Sequence, residues 1–244
     1  MKNRLKFGVI LVSIFSLVLI QQVRAGHISC GDTITSDTIL DSDLLCIGRG
    51  LNILFTNDIT LDCNGHAITG DGATETGIIL AGGQGVTIKN CIVQNFFNGI
   101  RFDTTIQGQL LNSVASNNIN AGIFIIDARD NTFTDNAAQE NDFGFFFESP
   151  RNEGNVLTSN IIKKNLRAGI RLKSDSQRNL IFNNFFNNTV NADDVGVNFW
   201  NTTKQTGPNI IGGQFLGGNF WSDYIGQDLN GDGLGDTNVP HNSN

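Results

Sequence analysis

Basic residues are scarce in this sequence. Lysine and arginine number 16 against 23 aspartates and glutamates, and four of the basic residues lie within the first 25 positions. Without residues 1–25, the chain keeps 12 basic and 23 acidic residues, a net charge of −11. Nucleic-acid binding needs clustered cations that neutralise phosphates, so we expect no nucleic-acid partner. An acidic surface instead suits an extracytoplasmic protein that meets divalent cations.

Long apolar runs are missing after the N-terminus. Basic residues at positions 2–6 precede an apolar stretch over 7–20, and Val23-Arg24-Ala25 supplies small residues where signal peptidase cleaves. This pattern predicts a secretory signal over residues 1–25, with an uncleaved anchor as the alternative. No later segment is apolar over the about 18 residues that a membrane helix needs. We therefore expect a secreted, periplasmic or cell-surface protein with no membrane span after signal cleavage.

A glycine-led unit repeats about every 23 residues through the middle of the chain. Its clear copies begin 22, 23, 22 and 25 residues apart, at Gly77, Gly99, Gly122, Gly144 and Gly169, with a weaker copy at Gly196. Each unit alternates apolar residues over three or four positions and then places a turn residue, three times, which is typical of short strands. Asparagine and glycine, both abundant here, are poor helix formers. The sequence therefore predicts an all-β fold, a right-handed parallel β-helix solenoid with 22–25 residues and three short strands per coil.

The repeat divides the chain into four segments. We expect a signal peptide over 1–25, an N-terminal cap and first coils over 26–70, β-helix repeats over 71–206, and a glycine- and tryptophan-rich segment over 207–244. We also expect a monomer.

Alternation in the glycine-led strands predicts which side chains form the core. The inward set is Ile78, Leu80, Ile100, Phe102, Ile123, Ile125, Phe145, Phe147, Ile170 and Leu172. Asparagines recur at the bends and are interpreted as turn residues whose amides stack from coil to coil. One column is Asn90, Asn112, Asn136, Asn160 and Asn184; another is Asn95, Asn117, Asn141 and Asn165, broken by Thr189.

All four cysteines lie between Cys30 and Cys91, so they restrain one end of the chain. Four cysteines permit three pairings. The string that ends at Cys63 aligns with the string that ends at Cys91 one coil later, which places the two thiols one rung apart if the strands stack. We favour Cys63–Cys91 with Cys30–Cys46. Four reduced thiols are the alternative, and a metal site is disfavoured because no Cys-x-x-Cys motif or paired histidine accompanies them.

Several strings are specific enough to compare with known families. They are Cys30-Gly-Asp-Thr-Ile, Ile59-Thr-Leu-Asp-Cys-Asn-Gly-His-Ala-Ile, Gly85-Val-Thr-Ile-Lys-Asn, Asn209-Ile-Ile-Gly-Gly and Leu216-Gly-Gly-Asn-Phe-Trp-Ser-Asp-Tyr. Together they resemble the NosD-like group of parallel β-helix proteins over nearly all of the chain after residue 25. The resemblance implies an exported protein whose repeat class is associated with carbohydrate binding and sugar hydrolysis. The members that give the group its name assist copper-enzyme maturation.

Residues that bind copper are few. Soft copper sites use cysteine, methionine and histidine, yet the only methionine is Met1, and His27, His66 and His241 are far apart in the sequence. His66 is interpreted as a turn residue after Asn64-Gly65. We therefore expect no copper site, and a NosD-type role in copper-enzyme maturation is kept only as an alternative function.

The segment 228–236 carries the clearest ligand pattern. Asp228, Asn230, Asp232 and Asp236 place oxygen ligands at relative positions 1, 3, 5 and 9, and the backbone carbonyl of Leu234 adds position 7. Position 12 is a valine rather than the glutamate of an EF-hand. The pattern predicts a structural Ca²⁺ loop, with an ordinary acidic turn as the alternative.

A second candidate site is the outward column of the glycine-led strands. Between the inward residues lie Arg101, Phe124, Phe146 and Arg171, with Asp103 and Glu148 two positions further on. Stacked at about 4.8 Å per rung, exposed aromatics flanked by arginines would suit a polysaccharide or cell-envelope glycan. The alternative is that a loop or partner covers them.

The acids needed for catalysis are dispersed. Glycoside hydrolases pair carboxylates across the scissile bond, whereas the candidate acids Asp103, Asp127, Glu148, Asp175, Asp193 and Asp194 are scattered, one or two per coil. We therefore favour a non-catalytic β-helix module that binds carbohydrate or is structural at the cell envelope. The alternative is a polysaccharide lyase, hydrolase or epimerase that acts on acidic glycans.

Overall fold

The computed structural model describes residues 27–72, 75–148 and 151–239. The predicted signal peptide and His241 lie outside these residues. None of the described residues forms a helix, and so none forms a helix that could span a membrane. The fold is built from short strands.

The strands are numbered in chain order. The first twelve are β1 (Thr38–Ile39), β2 (Leu44–Leu45), β3 (Leu51–Leu54), β4 (Thr60–Asp62), β5 (Ala67–Thr69), β6 (Thr76–Ala81), β7 (Thr87–Lys89), β8 (Ile92–Gln94), β9 (Asn98–Asp103), β10 (Gln109–Leu111), β11 (Val114–Ser116) and β12 (Ala121–Ile126). The next are β13 (Thr132–Thr134), β14 (Ala137–Gln139), β15 (Phe143–Phe147), β16 (Val156–Thr158), β17 (Ile161–Lys163), β18 (Ala168–Leu172), β19 (Gln177–Phe182), β20 (Phe185–Asn187), β21 (Ala192–Asp194), β22 (Val197–Phe199), β23 (Gln205–Thr206), β24 (Phe215–Leu216) and β25 (Phe220–Trp221).

From β1 to β22, every third strand belongs to the same parallel sheet, and β25 adds the last strand to one of the three sheets. Sheet I runs β1-β4-β7-β10-β13-β16-β19-β22, sheet II runs β2-β5-β8-β11-β14-β17-β20-β25, and sheet III runs β3-β6-β9-β12-β15-β18-β21. Residue Gln109 pairs with Thr87 on one side and Thr132 on the other. One turn of the chain thus advances one rung in each sheet, which confirms the predicted parallel β-helix with three strands per coil.

The inward residues of sheet III form part of one continuous core. All ten predicted inward side chains, from Ile78 to Leu172, are fully buried. Phe102, Phe133 and Phe145 meet edge to face, with ring centroids 5.0 and 5.8 Å apart. Each fully buried side chain of this size contributes about 1.5–3 kcal/mol relative to exposure, so stacked columns stabilise the solenoid along its whole length.

The glycine that begins each repeat is required by close packing. A Cβ atom on Gly99 would lie 2.6 Å from the carbonyl oxygen of Gly122, and one on Gly144 would lie 2.4 Å from that of Gly169. Neither distance is tolerable for a side-chain carbon. Successive coils approach so closely at this corner that only glycine fits, which explains the period seen in the sequence.

Buried asparagines form ladders at the three corners of the coil. In one ladder, the amide oxygen of Asn160 accepts hydrogen bonds from the backbone and side-chain nitrogens of Asn136, each at 3.0 Å. Its own amide nitrogen donates to the Phe133 carbonyl and to Asn184. The first ladder consists of Ser113, Asn136, Asn160, Asn184 and Asn219. The second ladder consists of Asn118, Asn141, Asn165, Asn188 and Asn191. The third ladder consists of Asn131, Asn155, Asn179 and Asn198.

The predicted asparagine columns were partly wrong in register. Asn90 and Asn112 precede the ladder by one residue and adopt φ of 55° and 48°; Asn95 and Asn117 do the same beside the second ladder, with φ of 60° and 55°. The second ladder does not break at Thr189, because Asn188 continues it.

Two disulfides close the first coils, as predicted. Cys30 is bonded to Cys46, with Cα atoms 5.5 Å apart. Cys63 is bonded to Cys91 across adjacent rungs, with Cα atoms 4.7 Å apart. Both bonds lie N-terminal to the glycine-led repeats from Gly99 onward, so the remaining coils are held by packing and ladders.

The last coil is completed late in the chain. β21 and β22 add the final strands of sheets III and I, and after the antiparallel pair β23 and β24 the chain returns to add β25 to sheet II. Phe220 stacks on Phe185 and Trp221 stacks on Phe186, with ring centroids 4.5 and 4.6 Å apart. The segment 207–244 therefore supplies the last rung of sheet II.

Candidate functional site

The predicted outward column lies on one face of sheet III. Ile79, Arg101, Phe124, Phe146 and Arg171 occupy successive rungs in register. Asp193 continues the column on the next rung. Parallel pairing thus brings together four of the six predicted glycan-binding residues.

Asp103 and Glu148 lie beside this column. Asp103 pairs with Ile126 on the next rung, and the backbone nitrogen of Glu148 donates to the carbonyl of Ile125. The two acids are therefore two rungs apart on the same face, with Ile126 between them.

A small apolar cluster, separate from the interior core, sits on this face. It consists of Ala121, Phe143, Phe146 and Ala168, with Phe124 packed against it. Phe124 and Phe146 meet edge to face with centroids 5.5 Å apart. Phe146 is only 8% exposed, so the expectation of two exposed aromatics was wrong, because Phe143 and neighbouring cations cover it. Phe124 is the half-buried ring that remains accessible.

Cations cover the rim of this outer cluster. The guanidinium of Arg101 lies 5.8 Å from the centroid of Phe124, and that of Arg171 lies 5.9 Å from Phe146. Arg167 lies 5.0 Å from Phe143, and the ammonium of Lys173 lies 5.4 Å from Phe146. At these distances cations are attracted to the ring faces.

Each of these cations also has an acidic partner. Arg101 pairs with Asp103 and Lys173 pairs with Glu148. The other two pairs are Arg171 with Asp193 at 3.3 Å and Arg167 with Asp142 at 3.2 Å. The face therefore carries fixed donors and acceptors around an apolar centre, while its charges balance locally. The Nε of Arg101 is buried and, within the described part of the chain, has no hydrogen-bond partner.

The adjacent acids Asp193 and Asp194 separate into two roles that the sequence did not reveal. Asp193 pairs with Arg171 on the outer face. Asp194 accepts hydrogen bonds from the backbone of Gly196 and from the indole Nε1 of Trp200, at 2.8 and 2.9 Å. Asp194 is thus a structural acceptor that fixes the Trp200 ring.

The predicted Ca²⁺ loop is a tight turn closed by its own amides. Asp228 accepts hydrogen bonds from the backbone nitrogens of Gly231 and Gly233, each at 2.7 Å. Asp236 accepts from the backbone of Leu229 and Asn230.

The carboxyl group of Asp232 is also engaged. It pairs with Lys204, and this hydrogen bond, reinforced by the backbone of Leu234, holds the pKa of Asp232 below its ordinary value. Across residues 27–72, 75–148 and 151–239, no three His, Cys, Asp or Glu side chains converge as a metal site. The Ca²⁺ assignment for Asp228, Asn230, Asp232, Leu234 and Asp236 stays a prediction.

The available donors do not fit a copper site. All four cysteines are in disulfides, which removes the thiolates that soft metals prefer. His66 contacts the carboxylate of Asp43 through Nδ1 at 3.0 Å, and His27 is exposed near the N-terminus. The described cysteines and histidines therefore lack the soft ligand set of a copper site.

A cavity of about 660 Å³ opens at the C-terminal end of the solenoid. Its lining combines the aromatic side chains of the last coil with the loops that follow it. Trp200, Trp221 and Tyr224 contribute rings, and Asn201 and Lys204 contribute polar groups. Sequence reasoning missed this site, because nearly all of its walls come from irregular loops within residues 200–239, where no repeat predicts which side chains converge.

Comparison with known proteins identifies one family. A family model described as "Periplasmic copper-binding protein (NosD)" matches residues 31–226. No curated protein sequence matches the chain.

Three solved structures are similar in fold. The periplasmic alginate epimerase AlgG is 19% identical with a TM-score of 0.48, and the match covers 63% of this chain and 35% of that one. Pectate lyase Pel9A is 9% identical with a TM-score of 0.43, over 70% and 65% of the two chains. PfbA, a surface adhesin of Streptococcus pneumoniae, is 11% identical with a TM-score of 0.40, over 75% and 66%. This chain spans less than two thirds of each structure, and similarity at this level carries no inference about activity.

Proposed function

The chain belongs to the NosD family, and from that premise we propose that it is an exported, non-catalytic β-helix module that binds an extended glycan along the outer face of sheet III. The proposal depends on one observation: the half-buried ring of Phe124 packs against a small apolar cluster that is separate from the interior core, and ion-paired side chains lie beside it on the outer face of sheet III. Phe124 is the accessible aromatic surface of this group, because the other members are buried.

The chemistry of the face suits sugars. A pyranose ring presents C–H groups on one side and hydroxyls at its edge, so it can lie on the accessible ring of Phe124 while its hydroxyls reach the paired charges. The Arg101–Asp103 pair offers donors and acceptors held in one geometry.

Charge favours a neutral glycan over an acidic one. The cations Arg101, Arg171 and Lys173 already have intramolecular carboxylate partners, so a uronate would have to displace an existing partner. A polyanion would also approach a protein whose net charge after residue 25 is −11, and like charges slow such association. The expected ligand is therefore an uncharged polysaccharide.

Ion pairing also supports a non-catalytic role. A general acid or base needs a carboxyl group that is available to substrate, but Asp103, Glu148 and Asp193 are each held by a cation. Incubating the protein with neutral and uronate polysaccharides, with and without EDTA, tests this point. New reducing ends or unsaturated products would establish an enzyme and refute the proposal.

Glycan binding is tested with the variant Phe124→Ala. We expect its affinity for a soluble neutral polysaccharide, such as a glucan, mannan or galactan retained in native affinity gels, to fall by about tenfold, equivalent to about 1.4 kcal/mol. Ile161→Ala is the matched control, because Ile161 is an exposed apolar residue on sheet II. Equal retention of wild type and both variants on every polysaccharide would exclude binding at this face.

A further inference from the structure

The C-terminal cavity has the form of a second binding site. It is bounded on one side by the last rung, where Trp221 stacks on Phe186 at 4.6 Å with the rings 12° apart. It is bounded on the other side by the loops around Asn209 and Asp228. Its volume of about 660 Å³ is within the range of small-ligand sites.

The aromatic lining is held in a fixed arrangement. Trp200 and Trp221 contact each other, tilted by 51° with centroids 5.4 Å apart, and both pack against the interior core. Trp200 is oriented by the hydrogen bond from its Nε1 to Asp194, and Trp221 is oriented by its stacking on Phe186. Aromatic side chains fixed in advance lose little conformational entropy when a ligand binds.

The polar groups that line the cavity carry no uncompensated charge. Asn201 and Thr202 supply an amide and a hydroxyl at the cavity wall, and Ser222 supplies another hydroxyl. The two charged groups in the lining are compensated, because Lys204 pairs with Asp232 and Asp228 accepts backbone amide hydrogens. An ionic ligand would find no unpaired counter-charge there.

We propose that this cavity binds the terminal units of a neutral glycan, with a pyranose ring stacked against the indoles of Trp200 and Trp221. Fixed aromatic rings beside amide and hydroxyl groups match a sugar, which has apolar faces and a hydroxylated edge. This site is distinct from the outer face of sheet III and does not depend on glycan binding there.

The chain provides a specific reporter for this site. It contains only two tryptophans, and both line the cavity. Tryptophan emission therefore reports on the cavity, whereas calorimetry reports on binding anywhere. The full mature chain is titrated with cellotriose, maltotriose, mannotriose and galactotriose by both methods, with a galacturonate trimer as the acidic comparison.

The expected result is that at least one neutral trisaccharide shifts the tryptophan emission and the acidic trimer does not. Asn201→Ala should weaken that response by about tenfold while keeping both indoles, and Trp200→Ala should weaken it further. Asn201 is exposed, so its replacement leaves the core intact. Ile161→Ala, which changes an exposed residue on sheet II outside both sites, is the matched control and should leave the emission response unchanged.

Four outcomes would overturn the inference. One is the absence of any emission change across the neutral trisaccharides. Another is an emission change that Asn201→Ala and Trp200→Ala leave at full affinity. The third is a response abolished by Phe124→Ala, which would assign binding to the outer face alone. Calorimetric binding that is lost only in Phe124→Ala would likewise uphold the proposed function while refuting the cavity.

Discussion

Single asparagine residues perform two separate tasks in this protein. At one position of each corner, residues such as Asn90 and Asn112 adopt positive φ, which asparagine tolerates better than most residues. At the next position, residues such as Asn136 and Asn160 are buried, and their amides link adjacent coils. Other residue types can occupy the positive-φ position, since Asp135 and Ser159 also adopt positive φ. The second task needs an amide that both donates and accepts.

The ladder predicts a large cost for Asn160→Ala. The change leaves the backbone and side-chain nitrogens of Asn136 without their acceptor and removes the donor to the carbonyl of Phe133. Buried groups left unpaired cost about 1–3 kcal/mol each, so we expect the free energy of unfolding to fall by about 3 kcal/mol. Urea denaturation, monitored by circular dichroism, measures this free energy of unfolding.

Asn187→Ala is the control for this prediction. Asn187 is an exposed residue at the end of β20, and its replacement should change the unfolding free energy by less than about 0.5 kcal/mol. If Asn160→Ala were equally mild, the ladder would contribute little to stability.

The ladder also shows what the sequence could and could not predict at this scale. Alternation placed Ile78 and Leu80 in the core correctly. Asparagine is common at both positions of the corner, and the coil length varies by a residue or two. The sequence therefore predicts one column for Asn112 and Asn136, although these residues occupy different positions of the corner. Only hydrogen-bond geometry separates the two.

Among the elements, sheet III carries the candidate site, and from β3 to β15 its strands are the longest in their coils. The strand period predicted that Arg101, Phe124, Phe146 and Arg171 share a face, and the register confirms it. Coverage of Phe146 by Phe143 could not be predicted, because Phe143 precedes the glycine where strict alternation begins. Partners for the cations, such as Asp193, became evident only once the rungs were aligned.

The C-terminal loop carries the Ca²⁺ prediction. Asp228, Asp232 and Asp236 lie on one short turn, and hard oxygen ligands favour Ca²⁺. If the turn binds Ca²⁺, titration calorimetry of the full chain gives a saturable heat that Asp228→Ala removes. Asp41→Ala, which changes an exposed acid near the N-terminus, should leave the heat intact. No heat in the wild type would leave the turn as a purely protein-bonded structure.

For the whole molecule, covalent restraint is concentrated at one end. The Cys63–Cys91 bond closes a loop with a sequence separation of 28, and such a loop is worth about 3–4 kcal/mol through the entropy of the unfolded chain. We expect the double variant Cys63→Ala, Cys91→Ala to lose that amount in chemical denaturation. The Cys30–Cys46 pair closes a shorter loop and should cost somewhat less, about 3 kcal/mol. Equal stability of wild type and both variants would contradict this expectation.

The position of the disulfides also determines which end of the solenoid unfolds first under a pulling force. In a solenoid each coil contacts only its neighbours, so a pulling force removes coils one at a time from whichever end yields first. The N-terminal coils are cross-linked by Cys30–Cys46 and Cys63–Cys91, whereas the C-terminal end is held by aromatic stacking of β25 on β20. Under tension or protease attack the chain would unfold from its C-terminal end. The cavity around Trp200 and Trp221 would open first, and the disulfide-bonded coils would remain folded longest.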